Sequence, residues 1–160
     1  MSAPIPSDEA GRLAELRRRD ILDSPAEESF DRLTRLAAEH FHVPIALISL
    51  VDEARQWFKS RVGLDVCETS REVSFCAHAI LSEKAMAVPD AAADPRFANN
   101  PLVTGPPGVR FYAGAPLITK EGFKLGTLCI LDTQARSDFG ATEAAHLEDL
   151  AAIVVDLLDL

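Results

Sequence analysis

The sequence predicts an α+β domain with helices layered around one antiparallel sheet. Helical patterns lead and trail the chain, two pairs of strand-like segments lie between them, and a short helix and a long loop are inserted midway. Of the 160 residues, 48% are hydrophobic and 26% charged, so the chain can bury one sizeable core. We therefore expect residues 1–7 to form an N-terminal tail and residues 8–160 to form a single domain.

Two helices are predicted ahead of the first strand. In residues 8–22, leucines recur at helical spacing among many charged residues, which is typical of a surface helix. Residues 24–27 (SPAE) have the pattern of a capping box with proline at the first helical position, so a second helix is expected to start there. Its apolar positions keep helical spacing until Pro44 and should pack on the sheet.

Two hairpins are predicted to supply the sheet. Residues 45–51 (IALISLV) are apolar on both faces, which favours a buried central strand, and residues 56–62 form its antiparallel partner. Residues 109–117 and 124–131 form the second pair, joined by a turn at Gly122.

Less regular structure is expected between the hairpins. Residues 64–73 are predicted as a loop, and residues 74–81 as a short helix capped by its first serine. A short strand at residues 86–88 leads into a long loop over residues 90–108, in which four prolines exclude a long element. One turn capped by Asp94 is expected within this loop.

The C-terminal helix, predicted from Gly140 onward, carries a heptad-like apolar seam. The seam residues are Leu147, Leu150, Val154 and Leu157. Because the stripe is wider than one sheet face needs, we expect this helix and the first helix to form a homodimer contact. The alternative is that the helix only closes the core of its own domain.

A net charge of −9 argues against nucleic acid and anionic membranes as partners. Much of the excess lies in residues 132–160, whose carboxylates should face solvent or meet Arg17, Arg18 and Arg19. Neither a signal peptide nor an apolar run of about 18 residues is present. These features predict a cytoplasmic protein whose partners are a small molecule or other proteins.

The three cysteines lack the spacing of a disulfide framework or a zinc site, so Cys67, Cys76 and Cys129 are predicted to be reduced, dispensable thiols. The histidines show no metal-ligand spacing, and no metal is predicted. Cys76 lies near the start of a predicted helix, where a reactive thiolate is favoured, yet burial would make it a packing residue. Because Cys76 and His78 are two positions apart on a helix, they cannot form a direct nucleophilic pair.

Six segments, in order and spacing, resemble the GAF sensory domains of bacterial histidine kinases and nucleotide cyclases. The segments are ILDSPAEESFDRLTRLAAEHF, ISLVDEARQWFKSRVGLD, REVSFCAHAIL, VPDAAADPRFANNPLV, RFYAGAPL and LGTLCILD. The resemblance implies a sheet with the terminal helices on one face, and a short helix and long loop that cup a small-molecule pocket on the other. It also implies a domain that senses rather than catalyses, either free-standing or part of a larger sensor. No catalytic residues are assigned.

Eight residues on the predicted short helix, long loop and following strand are our candidates for ligand binding. They are Phe75, Cys76, His78, Asp90, Asp94, Phe97, Arg110 and Tyr112. Arg110, Tyr112 and Gly114 share one strand face, which would offer a cation, a hydroxyl and room for close approach of an anion. Equally, Arg110 could pair with Asp90 or Asp94 to pin the loop.

Three functions remain open from the sequence. The first is a sensory domain that binds a small effector of unknown identity and transmits its state through dimer helices. The second is a protein-interaction module with an unliganded pocket, and the third is a thiol redox enzyme or sensor. Attachment of a bilin is not predicted, because the chain has Cys-Ala-His in place of a neighbouring Cys-His pair.

Overall fold

In the computed structural model, which describes residues 2–160, the strands form one six-stranded antiparallel sheet. They are β1 (Ile45–Val51), β2 (Arg55–Val62), β3 (Glu68–Ser70), β4 (Met86–Val88), β5 (Phe111–Ile118) and β6 (Lys124–Asp132). Their order across the sheet is β3-β2-β1-β6-β5-β4. The two predicted hairpins therefore lie side by side, joined by the pairing of β1 with β6.

Helices cover both faces of this sheet. They are α1 (Glu9–Arg18), α2 (Glu28–Phe41), α3 (Cys76–Ala79), α4 (Pro101–Thr104) and α5 (Ala141–Leu158). Helices α1, α2 and α5 pack on one face, and α3, α4 and the loop after β4 pack on the other. The predicted α+β class is confirmed. Within residues 2–160, none of the helices combines the length and apolarity that a membrane crossing needs.

Alternation along the central strands separates two cores. On β1, Ala46, Ile48 and Leu50 contribute to the core beneath α1, α2 and α5, whereas Ile45 and Leu47 contribute to the core beneath α3. A strand covered on both faces has no solvated side, which explains why β1 is apolar along its length. Each strand of the centre can thus place side chains in both layers.

The start of α2 differs from the prediction, because the helix begins at Glu28 and not at Ser24. Ser24 Oγ donates to the carbonyl of Ile21, and the buried Lys59 ammonium donates to Ser24 Oγ at 2.8 Å. Lys59 Nζ also donates to the Pro25 carbonyl at 2.6 Å. These contacts with β2 hold the segment outside the helix, so the capping-box pattern is not used.

Residues 64–73, predicted as a loop, contain the short edge strand β3 and a 3₁₀ turn over Arg71–Val73. The following helix α3 is shorter than predicted. Ser74 Oγ accepts from the Ala77 amide at 3.0 Å, as expected of the capping serine. The helix is too short to carry an appreciable dipole, so the expected effect of the helix start on Cys76 has no basis in the structure.

The long loop is largely folded into single turns. Asp94 Oδ1 accepts from the Arg96 amide at 2.9 Å, which confirms the predicted turn. Helix α4 was not predicted; it is capped by Asn100, whose Oδ1 accepts from the Leu102 amide at 2.9 Å. These local hydrogen bonds satisfy backbone groups that an irregular loop would otherwise leave to solvent.

Part of the predicted seam of α5 faces inward. Leu147 and Val154 are 0% exposed and belong to the core of this domain, while Leu150 and Leu157 are partly buried against it. The prediction that all four residues contact a partner is therefore wrong for Leu147 and Val154. The large apolar residue that α5 exposes is Ile153, at 45%.

Helices α1 and α5 meet through one of the expected ion pairs. Arg19 contacts Asp159 at 2.8 Å, which joins the basic first helix to the acidic C-terminal helix. Arg17 and Arg18 instead pair with carboxylates of the β1–β2 turn and of α1 itself.

Candidate functional site

A cavity of about 430 Å³ lies on the sheet face that α3 and α4 cover. Its walls are formed by Ile45, Leu47, Gln56, Phe58, Gly63, Leu64, Asp65, Val66, Glu68, Thr69, Phe75, Cys76, Leu102, Pro106, Pro107, Val109, Tyr112, Cys129 and Leu131. The volume lies within the range that small-molecule sites of proteins occupy.

The floor of the cavity follows from the alternation of the central strands. Ile45 and Leu47 of β1, Tyr112 of β5 and Cys129 of β6 are side chains that point away from α5. The wall over them is built from connecting segments, residues 63–69 on one side and 102–109 on the other. A rigid sheet floor beneath loop walls is a common arrangement for ligand sites.

Cys76 is the centre of a buried hydrogen-bond cluster in this floor. Tyr112 donates its hydroxyl to Cys76 Sγ at 3.2 Å, and Thr127 Oγ1 donates to the same sulfur at 3.0 Å. Burial raises the pKa of the Cys76 thiol, but hydrogen bonds from Cys129, Thr127 and Tyr112 outweigh burial and lower this pKa to about 6.

Cys129 lies beside Cys76, with 3.8 Å between the two sulfur atoms. Burial raises the pKa of Cys129 well above its usual value, and the neighbouring Cys76 thiolate raises it further. Burial and the same thiolate also raise the pKa of Tyr112. Cys76 is therefore the group of this cluster that ionises first. Sequence reasoning missed this contact, because the two cysteines are 53 positions apart.

Gln56 organises the polar part of the wall. Its Oε1 accepts from Ser49 Oγ at 3.1 Å and from Ser74 Oγ at 2.8 Å, and its Nε2 donates to Thr69 Oγ1 at 2.6 Å. One amide thus connects β1, β2, β3 and the start of α3. Because the polar atoms of its side chain are already hydrogen-bonded within the protein, we expect Gln56 to rigidify the site and not to bind a ligand.

The charged residues in the cavity wall are acidic. Among its described residues, Asp65 and Glu68 carry carboxylates and no lysine or arginine is present. Glu68 is paired with Arg55 at 2.9 Å, outside the cavity. An anionic ligand would therefore meet no cation in this wall, whereas an uncharged apolar ligand would bury its surface against aliphatic and aromatic side chains.

Three of the eight candidate residues, Phe75, Cys76 and Tyr112, line the cavity. Phe97 lies behind this wall, stacked on Phe75 with ring centroids 4.2 Å apart, and the His78 ring forms a T-shaped pair with Phe97 at a centroid distance of 4.8 Å. Both therefore support the wall from outside the cavity. Ligand binding by the lining residues stays a prediction.

Asp90, Asp94 and Arg110 hold the loop instead of lining the cavity. Asp90 Oδ1 accepts from the Ala92 amide at 3.1 Å, and Asp94 pairs with Arg96 at 2.8 Å, which lowers the pKa of Asp94. Arg110 fits neither sequence hypothesis. Its guanidinium donates to the carbonyls of Val103 at 2.9 Å and Val109 at 3.1 Å, so it pins α4 through backbone oxygens and not through a carboxylate.

The space beside Gly114 is also used differently from the prediction. A Cβ atom at this position would lie 2.1 Å from the Tyr112 hydroxyl oxygen. The glycine therefore makes room for the Tyr112 side chain and not for a ligand.

Sequence reasoning missed the β1, β2 and connecting-segment residues of the wall. Alternation along β1 was visible, but nothing in the pattern says which face of a doubly covered strand borders the cavity. Residues 63–69 and 102–109 lack periodicity altogether, and only the fold brings them together. Within residues 2–160, no cluster of three or more potential metal ligands is present.

An antiparallel sheet with terminal helices on one face and a loop-walled cavity on the other defines the GAF type of α+β domain. A GAF domain family model matches residues 25–155, and the chain belongs to the GAF domain family. GAF domains are regulatory domains of signalling proteins, and the expected family is confirmed.

A cyclic di-GMP phosphodiesterase from Pseudomonas aeruginosa is 45% identical over 152 residues. The alignment covers 95% of this chain and 26% of that protein, so the chain spans about a quarter of the length of this curated relative.

Solved structures agree on the fold. The GAF domain of an Acinetobacter phosphoenolpyruvate-protein phosphotransferase has a TM-score of 0.66 at 21% identity, with 93% of each chain covered. A type II free methionine-R-sulfoxide reductase from Thermoplasma acidophilum has a TM-score of 0.67 at 15% identity, covering 82% of this chain and 90% of its own. At these identities the likeness concerns the fold alone.

Proposed function

We propose that this GAF domain is a cytoplasmic sensor that binds a small, uncharged and largely apolar molecule in its cavity. The observation that carries the proposal is the cavity of about 430 Å³. Its walls are mostly apolar, and their carboxylates belong to Asp65 and Glu68. Such walls favour desolvation of apolar surface and disfavour phosphate or carboxylate groups. A cyclic dinucleotide is therefore not the proposed occupant.

Strands β5 and β6 provide the route from the cavity to the C-terminal helix. Tyr112 and Cys129 face the cavity, while their neighbours Ala113 and Ile130 face the core that α5 shares. A ligand that displaces either strand would thus change the packing surface of α5 directly. In the Pseudomonas phosphodiesterase, the matching segment makes up about a quarter of the protein. The proposal therefore includes regulation, through α5, of an output domain such as a phosphodiesterase.

A homodimer is part of the proposal, with an interface on the outer side of α2 and α5. Leu36 and Ile153 are exposed there, and Leu36 and Leu150 share a shallow cleft between the two helices. This surface replaces the predicted seam, since Leu147 and Val154 lie inside the domain. The alternative function, an interaction module without ligand, uses the same surface and predicts an empty cavity.

Binding of the neutral apolar dye N-phenyl-1-naphthylamine tests the cavity. Val66 lies at the cavity wall with 48% of its surface exposed, so Val66→Trp should obstruct the space without disturbing the core. Leu81→Trp is the matched control, because Leu81 is similarly exposed at 43% and does not line the cavity.

We expect the parent and the Leu81→Trp variant to bind the dye with equal affinity, and Val66→Trp to bind about tenfold more weakly, a loss of about 1.4 kcal/mol. Equal binding by both variants, or no binding by the parent, would contradict the proposed site. Native mass spectrometry of the protein purified from its own host then identifies the natural ligand.

A further inference from the structure

The cavity floor contains two thiols in contact. Cys76 of α3 and Cys129 of β6 have sulfur atoms 3.8 Å apart, and both line the cavity. A disulfide bond is about 2.05 Å long, so the sulfurs need to approach by about 1.8 Å to form one. The two cysteines project from different elements, α3 and β6, and both border the cavity.

The surroundings of Cys76 suit it for attack on a small electrophile. Tyr112 and Thr127 both donate hydrogen bonds to its sulfur, and donors of this kind stabilise a thiolate. Cys129 accompanies it as the thiol with the higher pKa. Two cysteines in contact, one with a lowered and one with a raised pKa, have the properties expected of an attacking thiol and a resolving thiol.

We propose that Cys76 and Cys129 are a redox pair in which a hydroperoxide entering the cavity oxidises Cys76, after which Cys129 closes a disulfide between α3 and β6. This modification goes beyond ligand sensing and requires only an oxidant small enough for the cavity. Cys67, the remaining cysteine, lies on the surface and has no part in it.

The steps balance in atoms and electrons. The Cys76 thiolate attacks one peroxide oxygen, an S–O bond forms, the O–O bond breaks, and the leaving alkoxide or hydroxide takes up the proton that Cys76 released. Cys129 sulfur then attacks the Cys76 sulfenic acid, the S–S bond forms and the S–O bond breaks. The departing hydroxide takes the Cys129 proton and leaves as water, so two thiols are oxidised and one peroxide is reduced.

The disulfide would fix the helix that covers the cavity to the central strand beneath it. Any effect of this link on ligand binding rests on the proposed function, whereas the disulfide chemistry does not. The disulfide would also be anchored on β6, and the opposite face of β6 packs in the core that contains α5. Oxidation would thus act at the same point from which a ligand is proposed to signal.

Trypsin separates the three cysteines, which makes the product readable by mass. Cys67 falls in residues 62–71, Cys76 in residues 72–84 and Cys129 in residues 125–136. The chain carrying Cys67→Ser is treated with equimolar hydrogen peroxide, catalase removes the excess, and the protein is unfolded in N-ethylmaleimide before digestion. The Cys67→Ser background prevents exchange with the surface thiol.

We expect a linked pair of the 72–84 and 125–136 peptides, lighter by two hydrogen atoms than their sum and released by dithiothreitol. Linking should be at least about tenfold faster in the folded protein than in urea, because the fold holds the thiols together. In Cys129→Ala, Cys76 should instead stop at a sulfenic acid that dimedone traps.

Full alkylation of both cysteines after peroxide treatment would overturn the proposal, as would equal linking rates in folded and unfolded protein. This readout keeps both Cys76 and Cys129 and changes only the exposed Cys67, so it does not depend on whether the Cys129→Ala variant folds. A protein that links the cysteines but binds no dye supports the redox pair and contradicts the proposed ligand site.

Discussion

At the residue scale, Gly114 and Tyr112 form a matched pair on β5. The missing side chain of the glycine leaves space for the tyrosine hydroxyl, which then reaches Cys76 Sγ at 3.2 Å. A Cβ atom would lie 2.1 Å from that hydroxyl oxygen and 2.7 Å from the adjacent ring carbon. The rotamer that orders the cavity floor therefore depends on a residue that has no side chain.

Gly114→Ala is expected to lower the free energy of unfolding by about 1–3 kcal/mol, because overpacking displaces the buried Tyr112 ring. Urea denaturation monitored by circular dichroism measures the loss. The control is the same substitution in a Tyr112→Phe background, where the atom in closest contact is absent and the cost should be smaller. An equal cost in both backgrounds would mean that the hydroxyl is not what fills the space.

At the element scale, α1 is attached to the sheet by a buried arginine. Arg12 is fully buried, and its guanidinium donates to the Val51 carbonyl at 2.7 Å and to Glu9 Oε1 at 2.9 Å. Glu9 also pairs with Arg71 at 2.5 Å. Arg71 directly follows β3, which is an edge strand of the sheet. A single carboxylate thus compensates two guanidinium groups and joins three parts of the chain.

The Glu9 carboxylate predicts a pH dependence of stability. Burial raises the pKa of Glu9, but hydrogen bonds from Arg71 and Arg12 outweigh burial and lower it from 4.5 to about 2. A pKa lowered by folding adds stability that is present above the unfolded value near 4.5 and lost as the pH falls towards 2. The lowered pKa corresponds to about 3 kcal/mol of stability at neutral pH.

Glu9→Gln should therefore be less stable than the parent near pH 7 by an amount that shrinks steadily below pH 4.5. Urea denaturation at a series of pH values measures the difference between the two proteins, so that other carboxylates cancel. Glu53→Gln serves as control, because Glu53 is exposed and its pairing with Arg17 should matter little. A parent–variant difference that stays constant down to pH 3 would disprove the role of Glu9.

At the scale of the whole molecule, α5 divides its apolar residues between the core and the outer surface. Val154 is completely buried, whereas its neighbour Ile153 is 45% exposed. A charge at Val154 would enter the core, whereas a charge at Ile153 would remain in water or at an interface. The two positions thus separate folding from association.

Ile153→Glu is expected to convert the proposed dimer to a folded monomer with an unchanged circular dichroism spectrum. Val154→Glu is expected to lower the free energy of unfolding by more than about 3 kcal/mol, because it buries an unpaired charge. Light scattering at micromolar concentration measures the mass of each. A parent that is already monomeric, or an Ile153→Glu variant that stays dimeric, would exclude this interface.

Local patterns predicted most of the fold. The apolar run of β1, the turn at Gly122, the capping serine of α3 and the helical spacing before Pro44 depend on neighbours within a few residues, and the structure has each of them. The start of α2 was missed because Lys59, more than 30 positions away in sequence, holds Ser24 and Pro25. Strand β3 was missed because an edge strand of three residues has too short a pattern.

The site was predicted less completely, for a physical reason. Phe75, Cys76 and Tyr112 were found because they lie on elements whose position the family pattern implies. The remaining walls come from segments without periodicity, and which face of β1 borders the cavity depends on which helices cover it. The contact of Cys76 with Cys129 joins residues 53 positions apart, and only the packing of α3 on β6 brings them together.

By itself, the sequence determined the α+β class, because hydrophobic periodicity and turn chemistry are local and additive along the chain, and the order of its six motifs determined the resemblance to GAF domains. The tertiary structure alone decided which apolar residues of α5 are core and which are surface, and it alone placed two thiols together under a cavity. Those properties depend on how distant elements share space, and composition and spacing along one chain do not encode that directly.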